Sequence, residues 1–271
     1  MDTKQNTMIH DFEIKELGGR NKRIRVFLPV DYDYSEERYP VLYMHDGQNL
    51  VDPAPFSGYS WDVCQTAERL FNNKLARRII IVGIDNDPKM RILEYSDSLS
   101  PWMRKRLDKE MPEEKNEPEG DIYAGFVTKI VKPFVDSHYR TLPDRLNTGV
   151  AGSSCGGNIS LYMLCRYPDV YGKAGIFSPA IHVVGNSLFR LLEKTDLPPD
   201  TCIYHDMGAK ETPFAAFTVL RDTKKLQKLL KNKKIHEDGL IHVIDKKATH
   251  TELFWQFRFP TFLAAFFPFS K

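Results

Sequence analysis

The 271-residue chain reads as an α/β protein, with a mostly parallel central sheet and helices on both faces. Three observations carry that expectation. Strand-like and helix-like hydrophobic patterns alternate over most of the length. Several of the strand patterns are continuous apolar runs, as in strands covered on both sides. A serine framed by glycines, within 149–157, sits between a strand pattern and a helix pattern.

Residues 1–18 are polar and mixed in charge, and 23–26 alternates charged with apolar residues as a half-exposed strand does. The runs at 41–44 and 79–84 are continuously apolar, so the sheet should begin antiparallel and become parallel. Helical spacing follows at 61–71, 123–135, 159–167 and 214–230, and further strand patterns at 146–151, 174–177, 202–206 and 240–244. Leu253, Phe254 and Phe257 then keep helical spacing until Pro260, which is expected to interrupt it. One segment, 87–120, breaks the rhythm with prolines, many charges and scattered apolar residues. A connection of about thirty residues inside a compact domain is often functional. It leaves the strand ending near Asp85, at the sheet edge where the framed serine emerges. Tyr95, Trp102 and Met103 suit a lid or substrate-shaping insertion, against the rival of a solvated excursion.

A chain that is 42% apolar and 12% aromatic can bury one large core, and no long linker divides it, so 1–271 is expected to be a single domain. With 38 Lys and Arg against 36 Asp and Glu, nothing attracts nucleic acid or an acidic membrane. Cys64, Cys155, Cys165 and Cys202 lack paired metal-ligand spacing and read as reduced packing residues. No segment approaches the roughly 20 apolar residues of a membrane span, and the N-terminal stretch lacks the apolar run of an export signal. A cytoplasmic protein is expected.

Residues 149–157 read Gly, Val, Ala, Gly, Ser, Ser, Cys, Gly, Gly and place Ser154 at the centre of a Gly-x-Ser-x-Gly frame. In a nucleophile elbow the turn is so sharp that the serine takes a strained backbone position, and glycines two residues away, Gly152 and Gly156, let strand and helix approach. The rival is a glycine-rich turn that merely joins a strand to a helix, and the combined strand, turn and helix context weighs against it. A phosphate loop would need a Lys-Ser/Thr pair or the dinucleotide spacing, neither of which is present.

A serine hydroxyl is a weak nucleophile near neutral pH and needs a general base, usually a histidine oriented by a carboxylate. In the α/β-hydrolase order of serine, acid and histidine, the base comes last. His10, His45 and His138 precede Ser154, and His182 and His205 precede the best-placed acid. Among the rest, His236 lies in the charged stretch 232–238 and His242 lies within a strand. His250 follows that strand by a short polar loop, where a base can reach the elbow. Asp206 and Glu211 compete as the acid. Asp206 sits at a strand end, whereas Glu211 lies beyond Gly208 on a loop free to turn towards His250, which favours Glu211. The oxyanion of a tetrahedral intermediate needs two donors. One is the Cys155 N–H, directly after the nucleophile, and the other is the Gln48 N–H in the loop after an early strand, with Gly47 in reserve.

These residues carry a resemblance to the putative esterase family of α/β-hydrolases, which includes enterochelin esterases, feruloyl and acetylxylan esterases and S-formylglutathione hydrolase. HDGQN at 45–49, YRTLP at 139–143, GSSCGG at 152–157, FSPA at 177–180, MGAKE at 207–211 and HTELFW at 250–255 resemble family segments in the same order. The likeness implies that Ser154, Glu211 and His250 are nucleophile, acid and base. It also implies the α/β-hydrolase fold and ester hydrolysis through an acyl-enzyme, with no metal or cofactor. Cys155 stands where members often carry methionine, and 87–120 has no clear counterpart. The expected function is a serine carboxylesterase acting on a small-molecule ester. Acyl transfer by the same residues and a scaffold without turnover are its rivals.

Overall fold

The computed structural model describes residues 6–112, 116–211 and 216–269. In chain order its first half comprises β1 (Asn6–Ile14), β2 (Arg20–Leu28), β3 (Val41–His45), α1 (Val63–Asn72), β4 (Ile80–Ile84), α2 (Arg91–Glu94) and α3 (Pro101–Glu110). Next, α4 (Gly120–Phe126) runs through a π turn (Val127–Val131) into α5 (Lys132–His138). The second half comprises β5 (Thr148–Ser153), α6 (Cys155–Arg166), β6 (Lys173–Phe177), α7 (Ile181–Val184), α8 (Ser187–Lys194), β7 (Cys202–Gly208), α9 (Ala216–Lys231), β8 (Leu240–Asp245) and α10 (Glu252–Phe266).

The strands form one eight-stranded sheet in the order β1-β2-β4-β3-β5-β6-β7-β8. β1 pairs antiparallel with β2 and β2 antiparallel with β4; all later pairings are parallel. After β3 the chain turns outward to β4, then returns to place β5 on the other side of β3. The connections leaving β3 and β5 therefore diverge, and a crevice opens between them where ligands bind in open α/β sheets. The expectation of an antiparallel start and a parallel remainder holds.

Alternate residues of each buried strand feed opposite faces. Val41, Tyr43, Ile80, Val82 and Ile84 pack on one side with Val127, Val131, Ile159 and Met163 from the helices. Leu42, Met44, Ile79 and Ile81 pack on the other with Trp61, Val63, Phe259 and Phe262. Helices thus cover both faces, as the unbroken apolar strands require.

Three expectations change. The polar N-terminal stretch contains a nine-residue edge strand, β1, whose half-exposed faces hid it among charges. α10 continues through Pro260 to Phe266. An interior proline costs about 3 kcal/mol, but the helix buries Trp255, Phe259, Phe262, Leu263 and Phe266, each worth roughly 2 to 3 kcal/mol, so burial wins. Segment 87–120 is no bare connection, because it holds α2 and α3. Its two ends are tied to β2, since Glu94 pairs with Lys22 and with Arg20, and Arg20 also pairs with Glu119. The helix expected from 214 begins at Ala216, and 214–215 lie outside the described residues. Among the described residues no helix is long and apolar enough to cross a membrane.

Candidate active site

Ser154 stands between β5 and α6 with φ 59° and ψ −124°, a backbone region that a non-glycine residue occupies only under strain. The turn closes because Gly152 has no side chain: a Cβ there would lie 2.9 Å from the Gly156 carbonyl carbon and 3.0 Å from His45 Cδ2. Neighbouring backbone holds the elbow, with Ser154 N–H donating to Phe177 O at 3.0 Å and Ala180 N–H donating to Ser154 O at 3.2 Å. His45 packs beneath it, its Nδ1 2.7 Å from the Tyr123 hydroxyl, and burial pulls this imidazole down to about 3, so it is neutral. Cys155 heads α6, where unpaired backbone N–H groups and the helix dipole favour negative charge.

The loop after β7 turns back on itself at Gly208, where a Cβ would come 2.6 Å from both Ala248 O and Glu211 Oε1. Glu211 Oε1 accepts from the Gly208 N–H at 2.6 Å, and Oε2 lies 2.8 Å from His250 Nδ1. Because the carboxylate accepts there, Nδ1 carries the proton and His250 Nε2 is left as the acceptor. Burial alone would raise the Glu211 carboxyl, but hydrogen bonds from His250, Ser178 and Gly208 hold it below the usual carboxylate range. Glu211 is 2% exposed and the imidazole 35%, so a fixed carboxylate supports a reachable imidazole. The Trp255 ring stands edge-on to His250, 5.0 Å between centroids.

Ser154, Cys155, Glu211 and His250 line one cavity of about 540 Å³. The competing acid, Asp206, is fully buried below them. Its Oδ2 lies 3.1 Å from Arg258 Nε and accepts from Tyr204 at 3.0 Å, and burial pushes its carboxyl up to about 7. His242 pairs with His205 across β7 and β8, 2.9 Å between Nδ1 atoms, so the alternative base is spent within the sheet. Gln48 lies in the 3-10 turn after β3. Its side-chain Oε1 accepts from the Asn86 N–H at 3.2 Å, and it is not among the residues lining the cavity.

Sequence reasoning missed a second charged pair. Arg91, from α2, also lines the cavity, and its Nε and Nη2 each reach Asp46 at 2.7 Å in a bidentate pair. Nη2 additionally lies 3.5 Å from Ser153 O, at the foot of the elbow. Burial would raise the Asp46 carboxyl, but the charge and hydrogen bonds of Arg91 hold it down. Nothing in a spacing of 45 residues announces such a pair; the only signal was that 87–120 leaves the sheet at the serine's edge. From that segment Ile92, Trp102, Met103 and Arg106 line the cavity as well. An adjoining cavity of about 600 Å³ shares Trp102, His182 and Val219 with it. Among the described residues no group of three or more His, Cys, Asp or Glu is arranged to hold a metal ion.

Comparison with known proteins gives the arrangement a family. A model of the family described as "Putative esterase" matches residues 15–266. The uncharacterized protein YbbA of Bacillus subtilis is 24% identical over 234 residues, spanning 85% of this chain and 86% of its own. A ferulic acid esterase structure superposes with a TM-score of 0.69 at 17% identity, covering 97% of this chain and 98% of that one. The siderophore hydrolase EstA of Aspergillus nidulans superposes with a TM-score of 0.73 at 17% identity, covering 96% and 94%. The fold is thus that of the esterase α/β-hydrolases.

Proposed function

The chain belongs to this esterase family, and from that premise we propose that it is a serine carboxylesterase in which Ser154 is the nucleophile, His250 the base and Glu211 the acid. Family membership supports ester hydrolysis as the reaction. The observation that carries the serine mechanism is the convergence of a strained Ser154 and a Glu211-bound His250 on one cavity.

His250 Nε2 takes the proton of Ser154 as Oγ attacks the ester carbonyl carbon, and Glu211 stabilises the imidazolium. The tetrahedral intermediate collapses, expelling the alcohol with the proton returned from His250 and leaving Ser154 acylated. Water, deprotonated by His250, then releases the acid and restores the hydroxyl. The Cys155 N–H is one oxyanion donor. For the second, the Gln48 N–H and the Arg91 guanidinium compete, and the presence of Arg91 on the cavity wall favours Arg91. The relatives named for ferulic acid and siderophores suggest a substrate with an aromatic or bulky part, which the wall of Ile92, Trp102, Met103 and Met207 suits.

Ser154→Ala should lower kcat on a short-chain p-nitrophenyl ester by at least about 10⁴-fold, and a fluorophosphonate probe should label the parent at Ser154. Parental activity in the variant would rule the mechanism out, while an unlabelled parent would point to a scaffold.

A further inference from the structure

Below the acid lies a hub that the mechanism above does not use. Ser178 follows β6, is 1% exposed and sits at φ +43°, a left-handed conformation that a residue with a side chain holds only at a cost. Its hydroxyl is fully committed. The indole Nε1 of Trp255 and Nη2 of Arg258 each donate to Oγ at 3.0 Å, so both acceptor positions of a hydroxyl are taken. The single O–H must therefore point to a carboxylate. Glu211 Oε1 lies 2.5 Å away and Asp206 Oδ1 3.5 Å, so the proton goes to Glu211. Asp206 is occupied otherwise, accepting the Ser178 N–H at 2.9 Å on Oδ1.

We propose that Ser178 is a positioning residue for the acid and base: its hydroxyl, oriented by Trp255 and Arg258, fixes Oε1 of Glu211 so that Oε2 meets His250. With Oε1 held by two donors, Ser178 and the Gly208 N–H, the carboxylate cannot rotate away from the imidazole. The same hydroxyl anchors Trp255, whose ring braces His250. One side chain thereby sets the register of both partners, and a neighbouring buried carboxylate, Asp206, holds its backbone. The left-handed φ is kept because it aims the hydroxyl at Glu211. Ser178 acts through Glu211 and not on the substrate.

The proposal rests on the esterase reading, and its test separates the two. Ser178→Gly removes the hydroxyl while relieving the backbone; Ser178→Ala removes it and keeps the strain. Both should lower kcat between about tenfold and a hundredfold, the range typical when a group that orients a functional ligand is deleted, with KM unchanged. The Nδ1 proton of His250, identified by its loss in His250→Ala, should give a far-downfield NMR resonance in the parent that moves upfield or exchanges away in Ser178→Gly. A turn-forming role alone predicts that glycine serves as well as serine. A kcat in Ser178→Gly within about twofold of the parent, or an unmoved resonance, overturns the proposal. If Ser154→Ala kept parental turnover, the esterase mechanism would fall while the resonance still decided the part played by Ser178.

Discussion

Two buried carboxylates each hold a side chain on the wall of the Ser154 cavity. Glu211 holds the His250 imidazole through one contact at Nδ1, and Asp46 holds the permanently charged Arg91 guanidinium through two. Both carboxylates are kept ionised against burial by those partners. The difference teaches how an ester-cleaving site divides its labour. On the mechanism proposed above, the side chain that moves a proton is partly open, whereas the side chain offered to developing negative charge, beside the neutral Cys155 N–H, is rigid and permanently positive. Bidentate pairing suits the second task, and a single Nδ1 hydrogen bond suits the first.

The largest expected effect lies on the proton side. Glu211→Gln deprives the imidazolium of its counter-charge and should cost about 10³ to 10⁴ in kcat, measured under saturating substrate. On the other side, Arg91→Met should cost about 10² to 10³, as deletion of an oxyanion donor does. Arg91→Lys should recover little, because an ammonium cannot make the bidentate contact with Asp46. If Arg91→Met leaves kcat intact, the comparison breaks and the Gln48 N–H becomes the second donor.

A smaller effect tests the strands beneath the proton side. Burial lowers His205, on β7, to about 3, so the folded state binds fewer protons than the unfolded chain, in which histidine titrates near 6.5. Stability from this group is therefore present at neutral pH and is lost as pH falls from 6.5 towards 3, by up to about 2 kcal/mol at pH 5. Urea titrations should show that His205→Asn flattens this decline, and an unchanged slope would mean that His205 does not stay neutral on folding. The smallest effect belongs to the shared wall. Trp102, 57% exposed between the two adjoining cavities, should stack on a bulky substrate. Trp102→Ala should raise KM for an extended aryl ester by about 3- to 10-fold while kcat on a short ester stays parental.

The same contrast governs what could be read from the chain. Ser154 was legible because an elbow is a local device, written in consecutive residues between a strand and a helix. The meeting of Glu211 with His250 beside Ser154 was legible because each hangs at the end of a strand pattern and chain order narrows the choice. Asp46 and Arg91 were not. A charged residue in a polar excursion reads as solvated, and its partner lies in another loop. β1 was hidden for a related reason: with both faces half exposed, its alternation carries no sharp hydrophobic signal. Pro260 misled because the cost of a lost hydrogen bond is visible in sequence, while the aromatic burial that outweighs it is not.

By itself, the order of apolar runs, helical spacings and glycines determined a mostly parallel sheet with an elbow at its centre, since those features depend on neighbours a few residues apart. Only the tertiary structure decided that Arg91 meets Asp46, that Asp206 is withdrawn beneath the site, and that Ser178 receives two donors and gives its proton to Glu211. Those contacts join residues 28 to 80 positions apart, and polar partners at such separations are chosen by which loops the sheet order brings together.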